Sequence, residues 1–364
     1  MADYITFQPK DVYQSKTYTG TGSSNAISLG MQPDLVWIKN RDATDFHVLT
    51  DSVRGVTKQW FTNNEYVEAT QTENVNSFDA DGFTVGTQDQ VNTDTEDFVS
   101  WSWKMGTTSG LTGGTITPTA YSINATAGQS IIAYTGAGAA GTVPHGLGKT
   151  PAMIIVKNLG QGNSGMVYHY ALNRNSSPED YYMKIDGTGA QEDAYGSGAW
   201  NDTAPTSTVF SVGGNDHTSG SFNYIAYCFT NIPGYSSFTS YAGNGDANGP
   251  FVWCGFRPAF VMVKRITGSS GNTWEMWDDK RSGSGGVGVD ASSNVTFNVT
   301  NRDLVADNDT AETSDPGDDI DILAQGFKIR GSNDDCNANQ APYLTMAFAA
   351  SPLVSSNTLP GVAR

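Results

Sequence analysis

The sequence predicts an all-β protein made of three tandem antiparallel β-sandwich domains of jelly-roll-like type. Three observations predict it. Only 16% of the 364 residues are charged, whereas Gly contributes 41, so too few Glu, Lys and Arg are present to clothe the wet faces of long helices. Short apolar runs alternate with Gly-, Asn- and Pro-rich turns, as in sandwiches and barrels. Three sequence markers also recur three times in the same order, the signature of an internal repeat.

The first marker is Tyr18-Thr19-Gly20, Tyr134-Thr135-Gly136 and Tyr241-Ala242-Gly243. The second is a Pro followed by a strand-like run ending in Lys: Pro33 to Lys39, Pro151 to Lys157 and Pro258 to Lys264. That run is apolar on consecutive positions, as expected of a strand covered on both faces. A Gly-x-x-Pro lead-in precedes each, at Gly30, Gly148 and Gly255. The third marker closes each copy: Phe98 to Trp103, Tyr224 to Phe229 and Tyr343 to Phe348. In the first of these, Trp101 and Trp103 point one way and Ser100 and Ser102 the other. Asp79 to Gly82 reads as a turn feeding the strand Phe83-Thr84-Val85, with Gly326 to Ile329 its counterpart in copy three.

The expected organisation is an N-terminal docking segment (1–16), repeat 1 (17–105), a Gly/Thr-rich linker (106–130), repeat 2 (131–231), repeat 3 (232–350) and a C-terminal tail (351–364). Residues 1–16 have no matching segment before the other copies, yet carry Tyr4, Ile5, Phe7, Val12 and Tyr13. That is more apolar surface than a free tail holds, so the segment is expected to dock on a partner or, as the alternative, to fold back over copy one as an edge strand.

A formal net charge of −17 and a pI near 4.4 argue against nucleic acid and against anionic membrane surfaces. No run of 18 apolar residues predicts a transmembrane helix, and Met1 to Tyr4 lack the features of a signal peptide. Cys228, Cys254 and Cys336 are too few and too scattered for a disulfide framework or a metal motif, and read as reduced core residues.

Several motifs resemble chemistry and do not carry it. Gly136 to Gly141 matches G-x-G-x-x-G, but Pro144, Gly146, Gly148 and Pro151 break the helix a dinucleotide site requires. Gly148-Lys149-Thr150 resembles the end of a P-loop, but Val143 stands where that loop needs Gly. His47, His145, His169 and His217 show no metal-binding spacing. Asp278-Asp279 suggests a glycosidase carboxylate pair. Asp278 and Arg281, however, match Asp51 and Arg54, a spacing that ties down a turn, while copy two offers His169 to Leu172 instead. The acidic stretch Asp303 to Asp321 is oxygen-rich enough to suit calcium, but it lacks the EF-hand order and reads first as a solvated insertion loop. Trp200 is the candidate for an exposed, sugar-stacking aromatic, whereas Trp37, Trp101 and Trp103 read as core. No catalytic, cofactor-binding or metal-binding residue is assigned, no cofactor is expected, and the protein reads as a non-enzyme.

In these markers the chain resembles structural proteins of tailed phages, often of marine hosts. The resemblance rests on Phe7-Gln8-Pro9, Tyr18 to Gly22, Pro33 to Arg41, Asp51 to Arg54, Asp79 to Val85 and Phe98 to Lys104. It continues in copy three through Asn244-Gly245-Asp246 and Trp274 to Arg281, and so covers most of the chain. It implies a virion protein synthesised in the host cytoplasm, with other tail or capsid proteins and a host surface glycan or protein as partners. A tail fibre or tail-associated attachment protein is the role it implies first. A capsid-decorating or head-fibre protein, and a polysaccharide-binding or -degrading tailspike, are the alternatives. With no heptad stretch for a coiled coil, a trimer or many copies would associate through sandwich faces or terminal segments.

Overall fold

The computed structural model describes residues 6–193, 198–268, 271–281, 287–289, 295–297 and 299–350. The proposed C-terminal tail and the first five residues of the docking segment lie outside them. The chain is all-β. Repeat 1 comprises β1 (Tyr13–Thr19), β2 (Asn25–Ser28), β3 (Leu35–Asn40), β4 (Val48–Asp51), β5 (Lys58–Phe61), β6 (Ala69–Thr70), β7 (Val75–Asp79), β8 (Gly82–Val85) and β9 (Asp97–Trp103). Repeat 2 follows with β10 (Pro118–Asn124), β11 (Gln129–Thr135), β12 (Gly141–Pro144), β13 (Met153–Asn158), β14 (Met166–His169), β15 (Tyr181–Lys184), β16 (Glu192–Asp193), β17 (Val209–Val212) and β18 (Asn223–Phe229). In repeat 3 come β19 (Ser236–Ala242), β20 (Phe251–Trp253), β21 (Phe260–Arg265), β22 (Glu275–Asp278), β23 (Val287–Val289), β24 (Val295–Phe297) and β25 (Val299–Thr300). It ends with β26 (Leu304–Val305), β27 (Ile320–Leu323), β28 (Gly326–Ile329) and β29 (Pro342–Phe348).

Each repeat has a large antiparallel sheet in one order. The sheets run β1-β9-β3-β4-β5-β6, then β10-β11-β18-β13-β14-β15-β16, then β19-β29-β21-β22-β26. The closing strand always lies between the strand carrying the Tyr marker and the strand that follows the Pro. A smaller sheet covers one face: β2-β8-β7, β12-β17 and β20-β28-β27-β25.

The central strands are buried on both faces, and their alternation sends side chains into two different cores. Val36 and Ile38 face the small sheet of repeat 1 with Phe83, Val85 and Phe98. Ile154 and Val156 do the same in repeat 2, and Val261 and Val263 in repeat 3. The alternate residues, Leu35 and Trp37, Met153 and Ile155, Phe260 and Met262, enter one shared cluster to which all three repeats contribute. Register fixes its centre. Trp103, Phe229 and Phe348 end their closing strands and pair with Leu35, Met153 and Phe260. Their rings meet one another at centroid distances of 6.4 Å (Trp103–Phe229), 5.6 Å (Trp103–Phe348) and 5.8 Å (Phe229–Phe348). Contacts of this kind contribute about 0.5–1.5 kcal/mol each beyond area burial.

The Tyr-x-Gly marker has a physical cause. Tyr18, Tyr134 and Tyr241 stack on Phe98, Tyr224 and Tyr343 of the paired closing strand. Their hydroxyls donate to the carbonyls of Val91, Thr218 and Cys336, at 2.7, 2.6 and 2.6 Å. Two residues on, a Cβ on Gly20, Gly136 or Gly243 would overlap the carbonyl oxygen of Thr93, Gly220 or Ala338. Only Gly allows so close an approach of two backbones.

The three sandwiches keep separate sheets of one common order, as expected, and pack on one another: the sheet faces turned away from the small sheets bury one another in a common core. Two expectations are corrected. Residues 106–130 are not a free linker, because β10 pairs with β11 as an edge strand, and Ile116 and Ile123 are buried in repeat 2. The described part of the docking segment folds back on its own chain. Tyr13 to Lys16 pair with Ser100 to Trp103, Val12 and Tyr13 enter the shared core, and Phe7 packs on Tyr235 of repeat 3.

Candidate functional site

The last residue of the strand after the central one occupies the same place in each repeat: Asp51, His169 and Asp278, paired with Leu35, Met153 and Phe260. Asp51 Oδ1 accepts the amides of Val53 and Arg54, and Oδ2 accepts Arg54 Nε at 2.5 Å and the Tyr227 hydroxyl of repeat 2 at 2.8 Å. Asp278 repeats the pattern with Lys280, Arg281 and, across to repeat 1, Trp101 Nε1 at 3.0 Å. His169 replaces it with neutral chemistry. Its Nδ1 accepts the Ala171 amide at 3.1 Å, which leaves the proton on Nε2 to donate to Thr345 O of repeat 3 at 3.3 Å. Burial lowers its pKa to about 3, so the ring is uncharged. The three side chains close a ring of contacts, repeat 1 to 2, 2 to 3 and 3 to 1, and all three are fully buried.

The marker lysines stand at the same junctions. Lys157 Nζ donates to Glu65 O of repeat 1 at 3.1 Å, and Lys264 Nζ to Gly187 O of repeat 2 at 2.9 Å. Lys39 Nζ satisfies Asn40 O and Ala43 O. Burial lowers Lys39 and Lys157 to about 8. Between repeats 3 and 1, Arg41 makes a two-pronged pair with Glu312, and His47 meets Val305 O at 3.0 Å. These groups hold the assembly together, and the Asp51–Arg54 and Asp278–Arg281 pairs tie down turns. Asp278 and Asp279 do not act as one carboxylate pair, since Asp279 sits against Lys280 and Arg257.

The acidic stretch of repeat 3 is not a solvated loop. Asp303, Asp318 and Asp321 are buried, and Leu304–Val305 and Ile320–Leu323 are strands within it. Glu275, Asp318 and Asp335, from three separate segments, each offer a carboxylate oxygen, and the three oxygens lie within 4.8 Å of one another. Asp318 belongs to the acidic stretch, but no sequence pattern singled out Glu275 or Asp335. The available signal was register: the first residue of β22 is Glu275, where β4 has Val48 and β14 has Met166. Burial and then the neighbouring Asp318 push the Glu275 carboxyl well above its ordinary range.

Trp200, the expected exposed aromatic, is instead buried against Tyr168, its Nε1 donating to Tyr181 O. Among the described residues, the large apolar side chains held out to solvent are Phe251 and Trp253, 47% and 67% exposed, on β20 at the edge of the small sheet of repeat 3, and Tyr66 and Val67 of repeat 1. Tyr66 borders an open cleft of about 500 Å³ with Asn63, Asn64, Glu65, Gly162 and Asp186, where repeats 1 and 2 meet. The three cysteines are free and buried.

No curated protein matches the chain. The family described as "Domain of unknown function (DUF7483)" matches residues 8–352. That span is nearly the whole chain, and the chain belongs to this family.

Proposed function

We propose that this chain is a non-enzymatic structural protein of a tailed-phage virion, a tail fibre or tail-associated protein that takes part in host attachment as a trimer or in many copies. Its support is the division of labour among side chains. The Asp, His, Lys and Arg residues that resemble catalytic sets are buried at the junctions between repeats, where they fix the assembly. Meanwhile Phe251 and Trp253 project from an edge strand, with Val252 between them turned inward. An edge strand carrying exposed aromatics suits strand addition by a partner or stacking on a sugar face, and a rigid body suits the display of such a surface. The sequence resemblance to virion proteins agrees with this reading.

The test is to purify particles of the phage that encodes the chain, identify their proteins by mass spectrometry, and image them with an antibody to the chain. Label on the tail is expected. A chain absent from the particle would overturn the reading, and label on the head would replace it with a capsid-decorating role.

A further inference from the structure

We infer that repeat 3 contains a divalent-cation site, suited to calcium, formed by the carboxylates of Glu275, Asp318 and Asp335. Calcium takes six to eight oxygen ligands from carboxylates, side-chain amides, backbone carbonyls and water. Here the three donors come from the start of β22, the segment before β27, and the single helical turn Asp334–Asn337 that precedes β29.

Proximity of acids alone would mean little in a chain of net charge −17. Burial and lack of partners separate this cluster from a solvated face. Glu275 is 3% exposed, and its Oε2 is buried without a hydrogen-bond partner. Its other oxygen accepts the Thr273 hydroxyl. Asp318 is 6% exposed, with Oδ1 also buried and without a hydrogen-bond partner, while Oδ2 accepts Asn333 Nδ2 at 2.8 Å. The adjacent Cys336 thiol donates to Gly317 O and also lies near the Asp318 carboxylate. Asp335 Oδ1 is oriented by the Thr273 amide at 2.7 Å. None of the three forms an ion pair among the described residues. The buried Lys264 feels the charge of Asp335 and Glu275, but its ammonium is engaged with Asp307 at 3.6 Å and two backbone carbonyls.

A buried carboxylate without a compensating charge is strongly disfavoured, so such groups are paired, protonated or bound to metal. The pseudo-symmetry of the chain sharpens the point. The equivalents of Glu275 are Val48 and Met166, which fill the same position with apolar packing. Repeat 3 alone puts a carboxylate there, and a local rule broken in one copy of three marks a site with a task.

The experiment uses the full chain, stripped with a chelator and titrated with CaCl2 by calorimetry, then melted in EDTA and in millimolar CaCl2. One calcium ion per chain is expected, with a Tm that rises with calcium concentration, because a ligand that binds only the folded state stabilises it by mass action. Glu275→Gln keeps volume and hydrogen-bonding capacity but removes the charge. It is expected to weaken calcium binding about tenfold or more and to abolish the Tm rise. Asp335→Asn, at a half-buried position, should do the same, and serves as the second reading where Glu275→Gln does not fold. Asp246→Asn, on an exposed loop, should leave binding unchanged. The assignment is overturned if the wild-type chain takes up none of calcium, magnesium or manganese, or if both cluster variants bind calcium as the wild type does.

Discussion

His169 shows how much one side chain can be asked to do. It takes the place of Asp51 and Asp278, accepts the same turn amide, and, unlike them, must donate across the junction, because its partner there is the carbonyl of Thr345. Asn can meet both demands and Asp cannot. His169→Asn is therefore expected to cost under about 1 kcal/mol, whereas His169→Asp faces a carbonyl oxygen with a buried charge and should cost about 3 kcal/mol or more. The pH dependence separates them further. The folded pKa is about 3, below the ordinary 6.5, so between these values the unfolded chain binds more protons. The contribution of His169 is then fully present above pH 6.5 and is lost as pH falls towards 3. Urea unfolding at about pH 7.5 and pH 4.5 should show wild type losing ground to His169→Asn at the lower pH. None of this was legible from the sequence, where His169 stood out only as a departure from the Asp-x-x-Arg pattern.

At the scale of the element, most of the fold was legible because its signals are local. The double-sided burial of Leu35–Asn40, Met153–Asn158 and Phe260–Arg265 follows from consecutive apolar positions, and the Tyr-x-Gly marker follows from one stacked ring and one close backbone approach. Gly136→Ala puts a methyl against Gly220 O in the loop before β18. It should destabilise by about 1–3 kcal/mol, comparable to overpacking a core. Gly189→Ala, where a Cβ would meet nothing within 4 Å, should be nearly neutral. Chemical denaturation of the two variants side by side checks the pair. β10 was missed because its surroundings are rich in Gly and Thr, and the signal it does carry, Ile116 and Ile123, is sparse. Tyr13 to Lys16 were set apart for a different reason: the repeat markers begin only at Tyr18, and pairing with β9 is non-local.

For the molecule as a whole, alternation along a strand says that both faces are covered but not by what. A sandwich and a sandwich packed on two others have the same local pattern, so the shared core became visible only when the three large sheets were placed together. Its energetic consequence is cooperation. Trp103, Phe229 and Phe348 lose their common environment if any one repeat opens. Differential scanning calorimetry should give a single transition whose calorimetric and van't Hoff enthalpies agree, not three. Residues 106–232 expressed alone, which keep β10 and all of β11, should fail to yield a soluble, folded monomer, because Ile131, Met153, Ile155, Tyr227 and Phe229 would form one large apolar patch on their surface.

The ring of Asp51, His169 and Asp278 also bears on how such a body can change over evolutionary time. Were the same architecture assembled from three identical short chains, every alteration would appear three times at once. A histidine that suits one junction would then be forced on two others that need an acid, and a carboxylate at the position of Glu275 would enter all three interiors together. Linking the copies in one polypeptide removes that constraint. Each junction needs only to match its own neighbour, so one copy can take on a specialised interior while its siblings keep the packing that supports it.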